Sequence, residues 1–82
     1  MNEEELSAIV VETLQAVAPD VDAGRLDPER SFRDQFDIDS VDFLNFVLKL
    51  EARLKIKVPE LDYPKLSSLS GCLRFLQAHA AP

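Results

Sequence analysis

Asp39-Ser40-Val41-Asp42-Phe43-Leu44-Asn45-Phe46-Val47-Leu48-Lys49-Leu50-Glu51-Ala52-Arg53-Leu54 is the stretch on which the fold turns. Asp39 and Ser40 are both good helix N-caps, because a short side-chain oxygen can accept from the free backbone N–H groups of a first turn. A helix is therefore predicted from Asp39 or Ser40 to Leu54. Its apolar positions are Val41, Phe43, Leu44, Phe46, Val47, Leu48, Leu50 and Leu54. That is too many for one stripe, so the helix is central or keeps a second hydrophobic face for a partner. Asp42, Asn45, Lys49 and Arg53 recur at three- and four-residue steps and make a polar strip.

The flanking sequence supplies further helices. Leu6, Ile9, Val10, Leu14 and Val17 form an apolar stripe that predicts a helix from Glu3 to Val17. Glu3, Glu4 and Glu5 favour its first turn through the helix dipole, and Pro19 lies just beyond its end. Residues 18–39 read as a long connection, with Leu26, Phe32 and Phe36 pinning it to the bundle. After Pro59, residues 60–66 can make one short helical turn, limited by Pro64. Ser67 or Ser68 then caps a last helix running to Ala78, with Leu69, Leu73, Phe75 and Leu76 inward. The expectation is all-α: a small four-helix bundle of three principal helices plus one short helix, with a long first loop, in one domain spanning residues 1–82. Only two glycines and few β-branched runs agree with helices over a sheet.

Charge and composition narrow the function. The net charge is −6, which disfavours a nucleic-acid partner, since phosphate tracking needs clustered positive charge. The polarity is uneven: residues 1–42 carry −9 and residues 43–82 carry +3, a distribution able to steer a protein partner. No apolar run approaches the roughly 20 residues needed to cross a bilayer, so no stable membrane insertion is expected. A single cysteine, Cys72, rules out an intramolecular disulfide, and it reads as a buried structural thiol among Leu69, Leu73, Phe75 and Leu76. With an acidic N-terminus where a secretory signal would be basic, the expectation is a cytoplasmic monomer.

Candidate chemistry is sparse. There is no Cys/His cluster with metal-ligand spacing and no glycine-rich phosphate loop. His79, the only histidine, sits near the chain end, where helices fray, and is a poor general base for a serine nucleophile. What remains is Phe36-Asp37-Ile38-Asp39-Ser40-Val41-Asp42-Phe43, a serine at the junction of an acidic loop and an apolar helix. Ser40 reads either as an ordinary cap or as a covalent attachment point at a helix N-terminus, where backbone amides favour a phosphate. Local chemistry is compatible with both at once.

The segment from Phe36 to Pro59 resembles the acyl carrier protein family, whose modified serine follows an aspartate and starts the second helix. The family's Asp-Ser-Leu signature stands here as Asp39-Ser40-Val41, followed by Asp42. Ser31-Phe32 in the loop, Ile56 to Pro59, and Ser67 to Leu69 at the last helix fall in family order, so the resemblance covers nearly the whole chain. It implies an acyl-carrier-like bundle with no catalytic activity of its own and no metal site. It implies 4'-phosphopantetheine attached to Ser40 by a phosphopantetheinyl transferase, from coenzyme A, with Asp39 aiding recognition and capping the helix. It also implies docking of acyl-loading and acyl-processing enzymes on Val41, Asp42, Leu44 and Leu48, of which a bland reading assigns the apolar Val41, Leu44 and Leu48 to the core. Two departures stand out. Asp37 occupies the position of a usual glycine, and Asn45, Ala52, Arg53 and Lys55 replace acids common in fatty-acid carriers. The expected carrier is thus specialised, in a fatty-acid, lipid or polyketide-type pathway. Phe43 and Phe46 read as core rings, or as rings that fill an interior acyl cavity. Alternatives are a peptidyl or aminoacyl carrier and an unmodified helical interaction module.

Overall fold

The computed structural model describes residues 2–80. Its elements follow in order: α1 (Glu3–Val17), α2 (Phe32–Gln35), α3 (Ser40–Leu54), a 3-10 helix (Glu60–Leu66) and α4 (Leu69–Ala80), with no strand among the described residues. α1 packs against both α3 and α4, and the 3-10 helix lies on α4. None of these helices is long and apolar enough to cross a membrane.

α1 has the predicted bounds. Its start is fixed by Asn2, whose side chain accepts from the Glu5 N–H at 2.8 Å while the Glu5 carboxylate accepts from the Asn2 N–H at 3.3 Å. Leu6, Val10 and Leu14 are buried on its inner face, with Ile9 and Val17 packed at the margin. Thr13 is buried among them, and its hydroxyl is satisfied by donating to the Ile9 carbonyl at 2.6 Å.

α3 also has the expected bounds, from Ser40 to Leu54. Phe46, Val47 and Leu50 are wholly buried, and Leu54 is half-buried, so the inward face is the one read from the sequence. Lys55 closes the helix in the left-handed region at φ 55°. Beyond it, the Glu51 carboxylate accepts from the Val58 N–H at 2.7 Å and folds the Ile56–Val58 segment back along the helix.

The long connection differs from a plain loop by holding α2, a single turn. Ser31 caps it by accepting from the Asp34 N–H, and Phe32, its first residue, and Ile38, just beyond it, are buried. Leu26 and Phe36 pack on the core as expected, joined by the buried Val21. The Gln35 side chain organises the preceding turn, accepting from Asp27 N–H at 2.7 Å and donating to the Asp27 and Arg30 carbonyls. Two backbone bonds tie the connection to the start of α4: Phe32 N–H to the Ser67 carbonyl at 2.7 Å, and Ser70 N–H to the Pro28 carbonyl at 2.9 Å.

α4 is capped by Ser68, whose hydroxyl accepts from the Gly71 N–H, and runs to Ala80 rather than Ala78. His79 therefore lies on the helix, stacked on Phe75 with ring centres 4.0 Å apart. Cys72 is fully buried and points its thiol at the Leu66 carbonyl, 3.3 Å away. Gly71 is required by packing: a Cβ there would collide with the Lys65 carbonyl oxygen of the 3-10 helix.

Candidate functional site at the start of the third helix

Ile38 is buried and anchors the chain directly before α3, so the next residues emerge at the surface in a fixed orientation. Asp39 has extended backbone and is the N-cap. Its Oδ1 accepts from the Asp42 N–H at 2.8 Å, and Asp42 Oδ2 accepts from the Asp39 N–H at 3.3 Å. This reciprocal pair satisfies two of the donors that a helix start leaves open.

Ser40 is thereby released from capping. It is the first residue of the helix, it is exposed, and its hydroxyl makes no hydrogen bond among the described residues. The N–H groups of Ser40 and Val41, in the first turn, have no acceptor within the helix. A hydroxyl beside two open amides at the positive end of a 15-residue helix suits a phosphodiester on that oxygen. The residues present thus fit a phosphate-linked group. Among the described residues no base hydrogen-bonds to the hydroxyl, and His79 Nδ1 faces the Phe75 carbonyl at 2.9 Å. No group of metal-ligating side chains comes together among the described residues.

Asp37, at the position where a glycine is usual, has no left-handed backbone; Lys55 is the residue with positive φ among the described non-glycine residues. The loop therefore reaches Ser40 without the conformational freedom that glycine supplies.

One face of α3 beyond Ser40 stays open. Val41 is 65% exposed, Leu44 43% and Leu48 48%, so these three are not core residues. Asp42 is half-buried by its capping role. Toward the far end the same helix shows Asn45, Lys49, Ala52 and Arg53, and Arg53 pairs with Glu12 of α1 at 2.9 Å. Leu61 on the 3-10 helix is 93% exposed, a surface feature not read from the sequence. An isolated leucine between Glu60 and Asp62 was the available signal.

The rings of this region form a column. Phe32 and Phe46 meet edge to face at 5.5 Å, and Phe43 stands 6.2 Å from Phe46 on the outer side. Phe46 is core, as expected, whereas Phe43 is half-buried and opens onto a groove of about 280 Å³ shared with α2 and the 3-10 helix. Its walls come from three separate segments, so no local sequence pattern announces this groove.

Comparison with known proteins agrees with this geometry. A family model described as the phosphopantetheine attachment site matches residues 4–75. The acyl carrier protein of Helicobacter hepaticus is 29% identical over 76 residues, covering 93% of this chain and 93% of that protein. That of Myxococcus xanthus is 29% identical over 56 residues, 68% of this chain and 71% of that one. The meromycolate extension acyl carrier protein of Mycobacterium tuberculosis is 26% identical over 77 residues, 94% of this chain and 66% of that one. No solved structure matches significantly. A cofactor of covalently attached 4'-phosphopantetheine goes with that family, and by the match over residues 4–75 the chain belongs to the phosphopantetheine-binding acyl carrier proteins.

Proposed function

We propose that Ser40 is the attachment residue and that the chain is a non-catalytic carrier serving a specialised lipid or polyketide-type pathway. The observation that carries this reading is the division of labour at the helix start. Asp39 and Asp42 cap each other, and the exposed Ser40 hydroxyl is left with nothing else to do.

In the attachment step Ser40 Oγ attacks the pantetheine-side phosphorus of coenzyme A under catalysis by a phosphopantetheinyl transferase. A new phosphodiester forms, the pyrophosphate P–O bond breaks, adenosine 3',5'-bisphosphate leaves, and the serine proton passes to the transferase. Bound to Ser40, the arm supplies a terminal thiol that holds acyl cargo as a thioester. The carrier contributes tethering, which raises the cargo's local concentration at a docked enzyme.

Val41, Leu44 and Leu48 are the surface for acyl-loading and acyl-processing enzymes, with the carboxylates of Asp37, Asp39 and Asp42 steering a cationic rim at the serine end. The specialised pathway is supported by the lysine and arginine on the far half of α3, which fit poorly against a uniformly basic docking patch. A mycobacterial relative whose name specifies meromycolate extension points the same way.

The test is an intact-mass spectrum after incubation with coenzyme A and a broad-specificity transferase, with Ser40→Ala alongside. A single phosphopantetheine gain confined to the wild type is expected. A folded wild-type protein that two transferases leave unmodified would instead favour an unmodified interaction module. For the pathway, holo protein should be a poor substrate for a general fatty-acid ketosynthase with a basic docking patch; rapid turnover there would remove the specialised reading.

A further inference from the structure

A second groove, of about 310 Å³, runs between α1 and α3 and is lined by Glu12, Thr13, Ala16, Lys49, Ala52 and Arg53. We infer that it docks a carboxylate-bearing segment of the partner enzyme, held by Lys49 with help from Arg53. The binding chemistry stands on the groove itself; that the partner is an acyl-processing enzyme rests on the carrier reading above.

The groove owes its shape to small side chains. Ala16 of α1 and Ala52 of α3 are both exposed, and neither has anything beyond Cβ to fill the space between the helices. Thr13 is buried beneath them, and its hydroxyl already donates to the Ile9 carbonyl at 2.6 Å. An incoming segment thus meets apolar surface and no free donor at the bottom.

The rim sets the polarity. Lys49 is exposed and makes no ion pair or hydrogen bond among the described residues. The residues three and four places from it on α3 are Asn45, Phe46, Ala52 and Arg53, with no carboxylate among them. Arg53 stands in the last turn, where the helix dipole favours a cation, and it reaches Glu12 at 2.9 Å through one nitrogen. Lys49 lies a turn earlier, outside that benefit, and like charges at this spacing repel. Among the described residues Glu12 is the one carboxylate lining the groove, so a positive charge is left over in a chain of net charge −6. A partner carboxylate above Ala52 satisfies Lys49 and meets the Arg53 donors that Glu12 leaves open.

Continuity points to the partner. On the surface of α3, Asn45 and Ala52, both exposed, lie between the apolar strip of Val41, Leu44 and Leu48 and the two cations. A protein that covers Leu48 therefore reaches Lys49 as well. Its rim is cationic opposite Asp39 and Asp42 and anionic opposite Lys49, about 12 Å further along the helix from Val41.

The probe is an amphipathic helical peptide with glutamates beside a leucine stripe, set against the same peptide with glutamines in their place. Isotope-labelled full-length chain, apo and after treatment with the transferase, is titrated with each. The glutamate peptide is expected to bind about fivefold more tightly at low salt, the gain from exposed ion pairs, with the preference shrinking as salt rises. Its shifts should include Ala16, Leu48, Lys49 and Ala52. Lys49→Gln should abolish the preference, whereas Arg74→Gln, which removes an exposed cation on α4, should leave it; unchanged Val47 and Leu50 signals show that both variants stay folded. Equal affinities, shifts centred on Lys65 and Arg74, groove shifts with none at Leu48, or a preference that survives Lys49→Gln would each overturn the inference. So would phosphatidylglycerol–phosphatidylcholine vesicles that reproduce the peptide's shifts, since the groove would then face a membrane. A chain that the transferases leave unmodified but that keeps the glutamate preference brings down the Ser40 reading alone; a loaded chain without the preference overturns this inference alone.

Discussion

Asp39 and Asp42 each accept the other's backbone N–H, at 2.8 and 3.3 Å, and the serine lying between them takes no part. A capping residue and a reactive residue are adjacent here, so stability and modification are separable by mutation. Ser40→Ala should change unfolding free energy by less than about 0.5 kcal/mol, the range of a surface substitution away from special features. Asp39→Ala should cost about 1 kcal/mol, the typical loss of a cap. Urea titrations of both variants check this, and the alanine at 40 should also abolish the phosphopantetheine mass gain.

Gly71 offers a harsher test of the packing. A methyl group there meets the backbone oxygen of Lys65, which is less free to yield than a side-chain tip. Gly71→Ala is expected to destabilise by about 2–3 kcal/mol through overpacking, despite alanine's better helix propensity. A denaturation midpoint at or above the wild type's would show that the 3-10 helix moves aside easily.

Burial pushes the Cys72 thiol well above its ordinary value of 9.0, because the thiolate would be desolvated. The folded state then keeps its proton where the unfolded chain releases it. Stability from this group is intact below pH 9 and falls as pH rises beyond it, by up to about 1.4 kcal/mol per pH unit. Comparing urea midpoints at pH 8 and pH 10 for wild type and Cys72→Ala isolates the contribution, since other alkaline titrations are common to both. At neutral pH an aromatic disulfide reagent should find no rapidly reacting thiol in apo protein and one in holo protein.

Lys55 closes α3 with φ 55° and ψ 46°, a conformation that a Cβ disfavours. Lys55→Gly should therefore stabilise the protein by about 1 kcal/mol, as a left-handed helix end accepts glycine without the steric penalty. A higher thermal midpoint would check it; a lower one would mean that the lysine stem contributes packing.

The long amphipathic helices were legible because periodicity and end signals agreed. α1 and α3 have the expected bounds, and the apolar excess of α3 divides into Phe46, Val47 and Leu50 inside and Val41, Leu44 and Leu48 outside. α2 was hidden because one turn has no periodicity to read, although Ser31 followed by Asp34 at the third place was a usable cap signal. For the start of α3, two adjacent cap-type residues compete for one role, and only the three-dimensional arrangement assigns it to Asp39. The groove at Phe43 could not be read from local pattern at all: Arg33, Phe43 and Tyr63 are brought together by tertiary packing.

The paired backbone bonds between Phe32 and Ser67, and between Ser70 and Pro28, run in opposite donor directions across the same seam. Neither strip can peel away alone without stranding a donor on one side and an acceptor on the other. The loop before α2 and the first turn of α4, nearly forty positions apart in the chain, should thus open as one cooperative unit. In native-state hydrogen exchange the amides of Phe32 and Ser70 would then share a single opening free energy. A connection long enough to behave as a tether is in this way made part of the scaffold that holds Ser40 still.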